Sequence, residues 1–167
     1  MFLVERRKII IVKEKKVSES FTEQYHIVMS GDINGSGRLF GGKLLSWIDE
    51  IAGIVAMRHC GGTVTTVAID NLRFKAGAYL NDVVVLEGRV TYTGRTSMEV
   101  RVDTYIEGKD GLRRPINRAY FSMVGMDEND KPTPVPVIVF ENELQKLEWE
   151  AAKKRIEYRK QRTQQGF

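Results

Sequence analysis

The sequence predicts an α+β fold in which an antiparallel sheet wraps around one long apolar helix, with a second, amphipathic helix near the C-terminal end. Three observations carry this. Residues 43–60 hold the strongest helical pattern, with Leu45, Ile48, Ala52, Val55 and Ala56 on one stripe and Leu44, Ile51 and Ile54 widening it. A helix apolar over most of its surface belongs inside a domain. Four β-rich runs follow, at 63–74, 82–93, 97–106 and 116–127, with Asn81-Asp82, Gly94-Arg95, Lys109-Asp110-Gly111 and Asn129-Asp130 as breaks. Strands joined by such short turns are antiparallel, because parallel neighbours need crossovers of a dozen or more residues.

In chain order, residues 1–20 form a charged lead-in. Its run Ile9-Ile10-Ile11-Val12 is too short for the apolar region of a signal peptide and is followed by Lys13, Glu14, Lys15 and Lys16. A short strand at 25–29 leads into a Gly-rich loop that reaches Gly41-Gly42 and the long helix. Gly61-Gly62 stops that helix, as glycine does just past a helix end. The four runs then read as a hairpin meander. Residues 142–161, rich in Glu, Lys and Arg with Leu144, Leu147, Ala151 and Ile156 between them, read as an amphipathic surface helix with a frayed far end. The chain thus divides into the lead-in 1–20, a domain at 21–140, and a C-terminal helix and tail at 141–167.

Composition narrows the function. The 167 residues, 42% hydrophobic and 29% charged, suit one domain with a substantial core. No apolar run nears the roughly 20 residues of a membrane span, so membrane insertion is not expected. Lone Cys60 cannot form an intrachain disulfide and suits a reducing cytoplasm. The net charge of +4 sits at the ends: residues 1–16 and 150–167 each hold six basic and two acidic side chains, while the middle holds 14 basic and 18 acidic. A nucleic-acid partner needs a basic face with interleaved aromatics, which the middle lacks.

Several motifs compete for the chemistry. Gly37-Arg38-Leu39-Phe40-Gly41-Gly42-Lys43 fits G-x-x-x-x-G-K, and Val67-Ala68-Ile69-Asp70 resembles the strand that partners it. However, Leu44 stands where Mg²⁺ needs Ser or Thr, and no buried parallel strand precedes the loop. A dinucleotide fingerprint fails at Phe40, where a third glycine would pack. The loop retains its position: amides at the start of a helix have no intrahelical partner, and Gly41 and Gly42 let a carbonyl or phosphate approach them. A tight entry turn accounts for the same glycines. Asp49 lies mid-helix amid the small residues Ser46, Ala52, Gly53 and Ala56. It is a structural acid, an interface acid or a catalytic base, and an unpaired buried carboxylate there costs several kcal/mol on the order of a buried charge. Glu50 shares a face with Lys43 and reaches water. His26 and His59 read as structural or solvated, and two His with one Cys make no persuasive metal site. Arg95-Thr96-Ser97 is either a phosphate contact or an ordinary hairpin turn.

Taken together, Asp32-Ile33-Asn34-Gly35-Ser36-Gly37-Arg38-Leu39-Phe40-Gly41-Gly42 followed by Ser46-Trp47-Ile48-Asp49 resembles the signature of hotdog-fold acyl-CoA thioesterases, on the acyl-CoA hydrolase branch. Val64-Thr65-Thr66-Val67-Ala68-Ile69-Asp70, Phe74, Gly94-Arg95-Thr96-Ser97 and Pro134-Val135-Pro136 extend the likeness over residues 24–136. The chain departs from that branch at Gly77 and Asn81-Asp82, where the family has a proline and a Gly-Asp turn.

The resemblance implies a hotdog fold and hydrolysis of acyl-CoA to fatty acid and coenzyme A, with no metal or cofactor. Asp49 would be general base or nucleophile, and Asn34 and Thr66 would position water and thioester. The carbonyl would sit at the helix start near Gly42, and the nucleotide end of coenzyme A near Arg95, Thr96 and Ser97. Spacing adds a constraint. Gly42 and Asp49 are separated by about 10 Å along a helix at 1.5 Å per residue, whereas attack needs about 3–3.5 Å. The helix start of one copy facing Asp49 of another resolves this, so the expected state is a homodimer, extended to a trimer of dimers by the family likeness. The alternatives are an acyl-CoA-binding sensor without hydrolysis, which usually carries a DNA-binding module that residues 1–23 are too short to form, and a dehydratase, which generally depends on a catalytic His.

Overall fold

The computed structural model describes residues 13–70 and 72–166. The strands are β1 (Glu14–Lys16), β2 (Thr22–Ile27), β3 (Thr63–Asp70), β4 (Val83–Thr93), β5 (Ser97–Glu107), β6 (Arg113–Met126) and β7 (Val137–Val139). The long helix α1 spans Gly41–Cys60, and α2 spans Glu143–Gln164. A single 3-10 turn at Ser30–Asp32 opens the Gly-rich loop. No helix among the described residues is long and apolar enough to cross a membrane. The Ile9–Val12 run lies outside the described residues.

Helix α1 forms where the apolar stripe predicts it. Ile48, Ile51, Ala52, Val55 and Ala56 have no solvent exposure and pack on Val84, Leu86, Val100, Val102 and Phe121 from the inner face of the sheet. The helix packs tightly over Gly88, where a Cβ would stand 2.7 Å from Val55 Cγ2. A glycine is therefore required by packing in mid-strand. Gly61, at φ 73°, ends the helix with its amide on the Met57 carbonyl at 2.8 Å.

The predicted meander needs correction. The five-stranded antiparallel sheet has the order β2-β4-β5-β6-β3. Strands β4, β5 and β6 do form a meander, but β3 crosses to pair with β6 and leaves β2 to pair with β4. The reason is the connection from β3 to β4: its residues run back beside the helix start instead of turning, with the Lys75 amide on Ile116 O and the Leu39 amide on Ala78 O. Strand β3 is consequently an edge. A second departure is a parallel pair, β1 with β7, built from the lead-in and the segment before α2.

Helix α2 lies on the outer face. Asn142 caps it, accepting the Gln145 amide at 3.0 Å. Its attachment is not the expected apolar stripe, because Leu144 and Leu147 are exposed. Ala152 is buried, Trp149 packs between Tyr92 and Phe140, and Arg155 and Glu148 bond to Glu99 and Arg101 of β5.

Candidate active site

The Gly-rich loop folds on itself before the helix begins. The Asn34 amide bonds to Arg38 O at 2.7 Å, and the Asn34 side-chain Oδ1 accepts the Ser36 and Arg38 amides at 2.9 and 3.2 Å. Asn is suited to this because its short side chain can imitate a backbone turn. The Phe40 carbonyl then accepts from the amides of Lys43 and Leu44. Hydrogen bonding within α1 thus starts at Lys43, and the Gly41 and Gly42 amides form the open positive end of the helix. A cavity of about 320 Å³ lies there, lined by Asn34, Gly41, Leu44, Phe74, Gly77 and Ala78 among others.

Two turns further along α1, Asp49 projects toward β3. The Thr66 hydroxyl donates to Asp49 Oδ1 at 3.0 Å and also lies 3.4 Å from Met123 Sδ. A bulge follows immediately: Thr66 pairs with Met123 and Ala68 with Ser122, so Val67 is the extra residue. Bulges re-aim side chains at sheet edges and beside active sites. This one bends the edge strand at the residue after the aspartate's partner, and leaves Val67 63% exposed.

The structure corrects one expectation about Asp49. Its side chain is exposed in the single chain and is not a buried charge. The small residues around it do not form one surface either, since Ala52 and Ala56 face the core, Gly53 is half-buried and the exposed Ser46 donates to Glu50 at 3.1 Å. The buried residues Ile48, Ile51, Ala52 and Val55 set which face of α1 meets the sheet, and Asp49 falls on the face left over. Within one chain the predicted residues therefore form three groups. Asp49 and Thr66 touch. Asn34 lines the cavity at the helix start together with Gly41, the residue before Gly42. Arg95, Thr96 and Ser97 make the β4–β5 turn, with their carbonyls accepting the Val135, Gly125 and Gly94 amides at 3.0, 2.9 and 2.8 Å. Ser97 pairs with Val124, which pairs with Thr65, so that turn stands two strands, about 10 Å, from the Thr65–Thr66 edge.

The other candidates have structural roles. His26 stacks on Trp47 with ring centroids 4.2 Å apart, and burial pushes its pKa down. His59 has no exposure, lies 3.3 Å from Ser20 Oγ and 3.2 Å from Pro136 O, and is likewise lowered by burial. Cys60 turns away to Gly62 O. The triphosphatase reading ends with Asp70, which is held by Arg159 and Arg162 at the end of an edge strand of an antiparallel sheet. Sequence reasoning missed that edge. Its only signal was the distance from β3 to β4, too long for a hairpin loop.

Residues 36–111 match the Thioesterase superfamily. A Bacillus subtilis protein named uncharacterized acyl-CoA thioester hydrolase YkhA is 39% identical over 78% of this chain and 77% of its own length. The chain belongs to the thioesterase superfamily. The cytosolic acyl coenzyme A thioester hydrolase of Rattus norvegicus is 34% identical over 83% of the chain, which spans 37% of that longer relative. Among solved structures, a hexameric acyl-CoA thioesterase in its apo form superposes with TM-score 0.87 at 41% identity, over 91% of this chain and 98% of that one. The Staphylococcus aureus acyl-CoA hydrolase with butyryl coenzyme A, coenzyme A and coenzyme A disulfide gives 0.87 at 32% identity, over 92% and 94%. The curled sheet around α1 is thus the hotdog fold of this family. Solved structures of that S. aureus hydrolase also include variants with an Asn, an Asp or a Thr replaced by Ala, at positions separated by fifteen and seventeen residues. Asn34, Asp49 and Thr66 have the same separations.

Proposed function

We propose that this chain hydrolyses acyl-CoA thioesters to fatty acid and coenzyme A as a cytoplasmic homodimer, assembled further as a trimer of dimers. The observation that carries the reading is the Asp49–Thr66 hydrogen bond of 3.0 Å beside the edge strand β3, whose outer side pairs with no other strand among the described residues. An exposed edge with Val67 and Ile69 uncovered is a template for a second strand. A two-fold axis pairs β3 with its own copy antiparallel. This arrangement turns the Asp49 carboxylate of one subunit toward the partner's Gly42, which closes the 10 Å gap that one helix cannot. The hexameric assembly of a similar solved structure supports the higher order.

In this site Asp49 takes a proton from water as the water oxygen attacks the thioester carbon. The partner's Gly42 amide, at the positive end of its helix, holds the charge that develops on the carbonyl oxygen. Collapse of the tetrahedral intermediate breaks the C–S bond and releases the coenzyme A thiolate. Thr66 fixes the carboxylate through its hydroxyl. Asn34 has its Oδ1 committed to the loop, so its contribution is the NH2 donors, which suit a carbonyl. Arg95, Thr96 and Ser97 lie toward the nucleotide end.

The test is release of free thiol from acyl-CoA substrates across chain lengths. The wild type is expected to turn over and Asp49→Ala to be silent with its oligomer intact. Undiminished turnover in Asp49→Ala overturns the mechanism, and a silent wild type overturns the function.

A further inference from the structure

One wall of the 320 Å³ cavity at the start of α1 is built from the β3–β4 connection, since residues 74–78 all line it together with Asn34, Gly41 and Leu44. Phe74 is the part of this wall that reaches the helix. Its ring carbons Cε2 and Cζ lie 3.5 and 3.7 Å from where a Cβ on Gly41 would stand. The side chain is 50% exposed, so core packing does not fix the ring and the backbone on either side of it must. Two bonds do this, and both come from β6. The Lys75 amide donates to Ile116 O at 2.9 Å, and Asn117 Nδ2 donates to Arg73 O at 2.9 Å, so the pair straddles Phe74. Ile116 is the extra residue of a bulge: Asn117 pairs with Thr104 and Pro115 with Tyr105, which leaves Ile116 without a partner on β5. The Asn117 bond is, among the described residues, the one side-chain hydrogen bond made to residues 72–78.

Asn117 is an odd side chain for its place. It pairs with Thr104 and Thr104 with Leu86, which puts all three on the inner face of the sheet, toward α1. Asn117 is 3% exposed, and its Oδ1 has no hydrogen-bond partner among the described residues. A leucine fills the same volume and leaves no buried acceptor unmet, so stability alone favours an apolar residue here. What the amide supplies is its donor, and that donor is spent on Arg73 O.

We propose that Asn117 is a positioning residue: through Arg73 O it fixes Phe74 over the start of α1, and Phe74 bounds the slot through which acyl-CoA reaches the helix-start amides. The inference deepens the thioesterase reading and rests on it. Asn117 itself touches no substrate and moves no proton. The Phe74 ring flanks the bound molecule without meeting the carbonyl oxygen, so it holds ground state and transition state alike. Its displacement therefore falls on KM and leaves kcat in place.

The experiment is a double-mutant cycle of Asn117→Leu and Phe74→Ala in the full chain. Thr104→Val is the control, because Thr104 lies in the same buried row and its hydroxyl has no partner among the described residues. Each protein is read by KM and kcat for acyl-CoA, by the Kd of a thioether analogue with CH2 in place of the thioester carbonyl, and by its urea midpoint. Asn117→Leu is expected to raise KM and Kd about fivefold, the scale of one neutral hydrogen bond. Phe74→Ala is expected to raise them about tenfold, and kcat is expected to change by less than about twofold in either. The double variant is expected to match Phe74→Ala alone, since the bond then has no ring left to position. Thr104→Val is expected to keep the wild-type KM and Kd. Effects that multiply in the double variant, or an equal loss in Thr104→Val, make Asn117 a structural residue and overturn the proposal. Unchanged KM and Kd in Phe74→Ala overturn it too. Should Asn117→Leu not fold, Asn117→Ala takes its place in the cycle. The thioether reads without turnover: a silent wild type whose variants weaken analogue binding in this pattern loses the function and keeps the positioning role. An active wild type whose variants bind as it does keeps the function and loses the role.

Discussion

Arg155 binds Glu99 from above the ring of Tyr120: its Nη2 is 2.7 Å from Glu99 Oε1 and its guanidinium carbon 3.8 Å from the ring centroid. Glu99 is 1% exposed and also accepts the Thr91 hydroxyl at 2.7 Å. Removing one member of such a pair strands a buried charge. Arg155→Ala is expected to lower stability by about 3 kcal/mol, the low end of the range for broken buried pairs, because Arg159 remains 3.6 Å from Glu99. Urea unfolding reads this. A loss below about 1 kcal/mol would mean that α2 is held mainly by Trp149 and Ala152.

Asp49 and Thr66 should separate by magnitude. Asp49→Ala removes the base and is expected to reduce kcat by about 10²–10⁴-fold. Because the side chain is exposed, the urea midpoint should not move. Thr66→Val leaves the carboxylate and removes only its 3.0 Å donor. The loss of one bond to a charged group corresponds to about tenfold or somewhat more. Equal losses in the two variants would contradict a supporting role for Thr66.

Both histidines predict a pH dependence of stability. Burial lowers the pKa of His59, which Pro136 O only partly offsets, and lowers that of His26. The unfolded chain therefore takes up these protons first, near pH 6.5. Their contribution is complete above that pH and is lost as pH falls toward the lowered folded values. Asp70 has the same sign in a more acidic window. Burial raises it, but hydrogen bonds from Arg162 and Arg159 outweigh burial and hold it below the usual carboxylate value. Denaturation between pH 5 and 8 is expected to show stability falling below about 6.5, with a shallower fall in His59→Gln.

The contrast between what the sequence announces and what it withholds has a physical basis. The helix was legible because Ile48, Ile51, Ala52 and Val55 repeat at helical spacing and Gly61 ends the pattern at a positive φ. Asp49 stood out by itself as a mid-helix acid among small residues, with its role left open, whereas Asn34 and Thr66 were legible only as a pattern of family resemblance. Pairing was less legible. Alternation along Thr63–Asp70 is a local property, and whether that strand neighbours β4 or β6 depends on a connection packed against the helix start. The outer face hid its rule too: Leu144 and Leu147 suggest apolar docking, whereas Glu99, Arg101, Glu148 and Arg155 hold α2 down.

Shared sites between subunits make a sharper prediction than any single substitution. Gly42→Pro deletes the amide at the helix start, at a first-turn position where proline is tolerated. Its new carbons would meet the Phe40 ring, with a Cβ 2.6 Å from Phe40 Cε1, but that side chain is 57% exposed and can swing aside. Gly42→Pro and Asp49→Ala should each be inactive alone. Co-refolded in equal amounts, half the dimers contain one of each, and in these one site joins an intact Asp49 to the partner's intact Gly42. About one quarter of wild-type activity is expected to return under two-fold symmetry. No recovery, with sedimentation showing mixed dimers, would place both groups of a site in the same subunit. The β3 edge would then have to serve assembly alone.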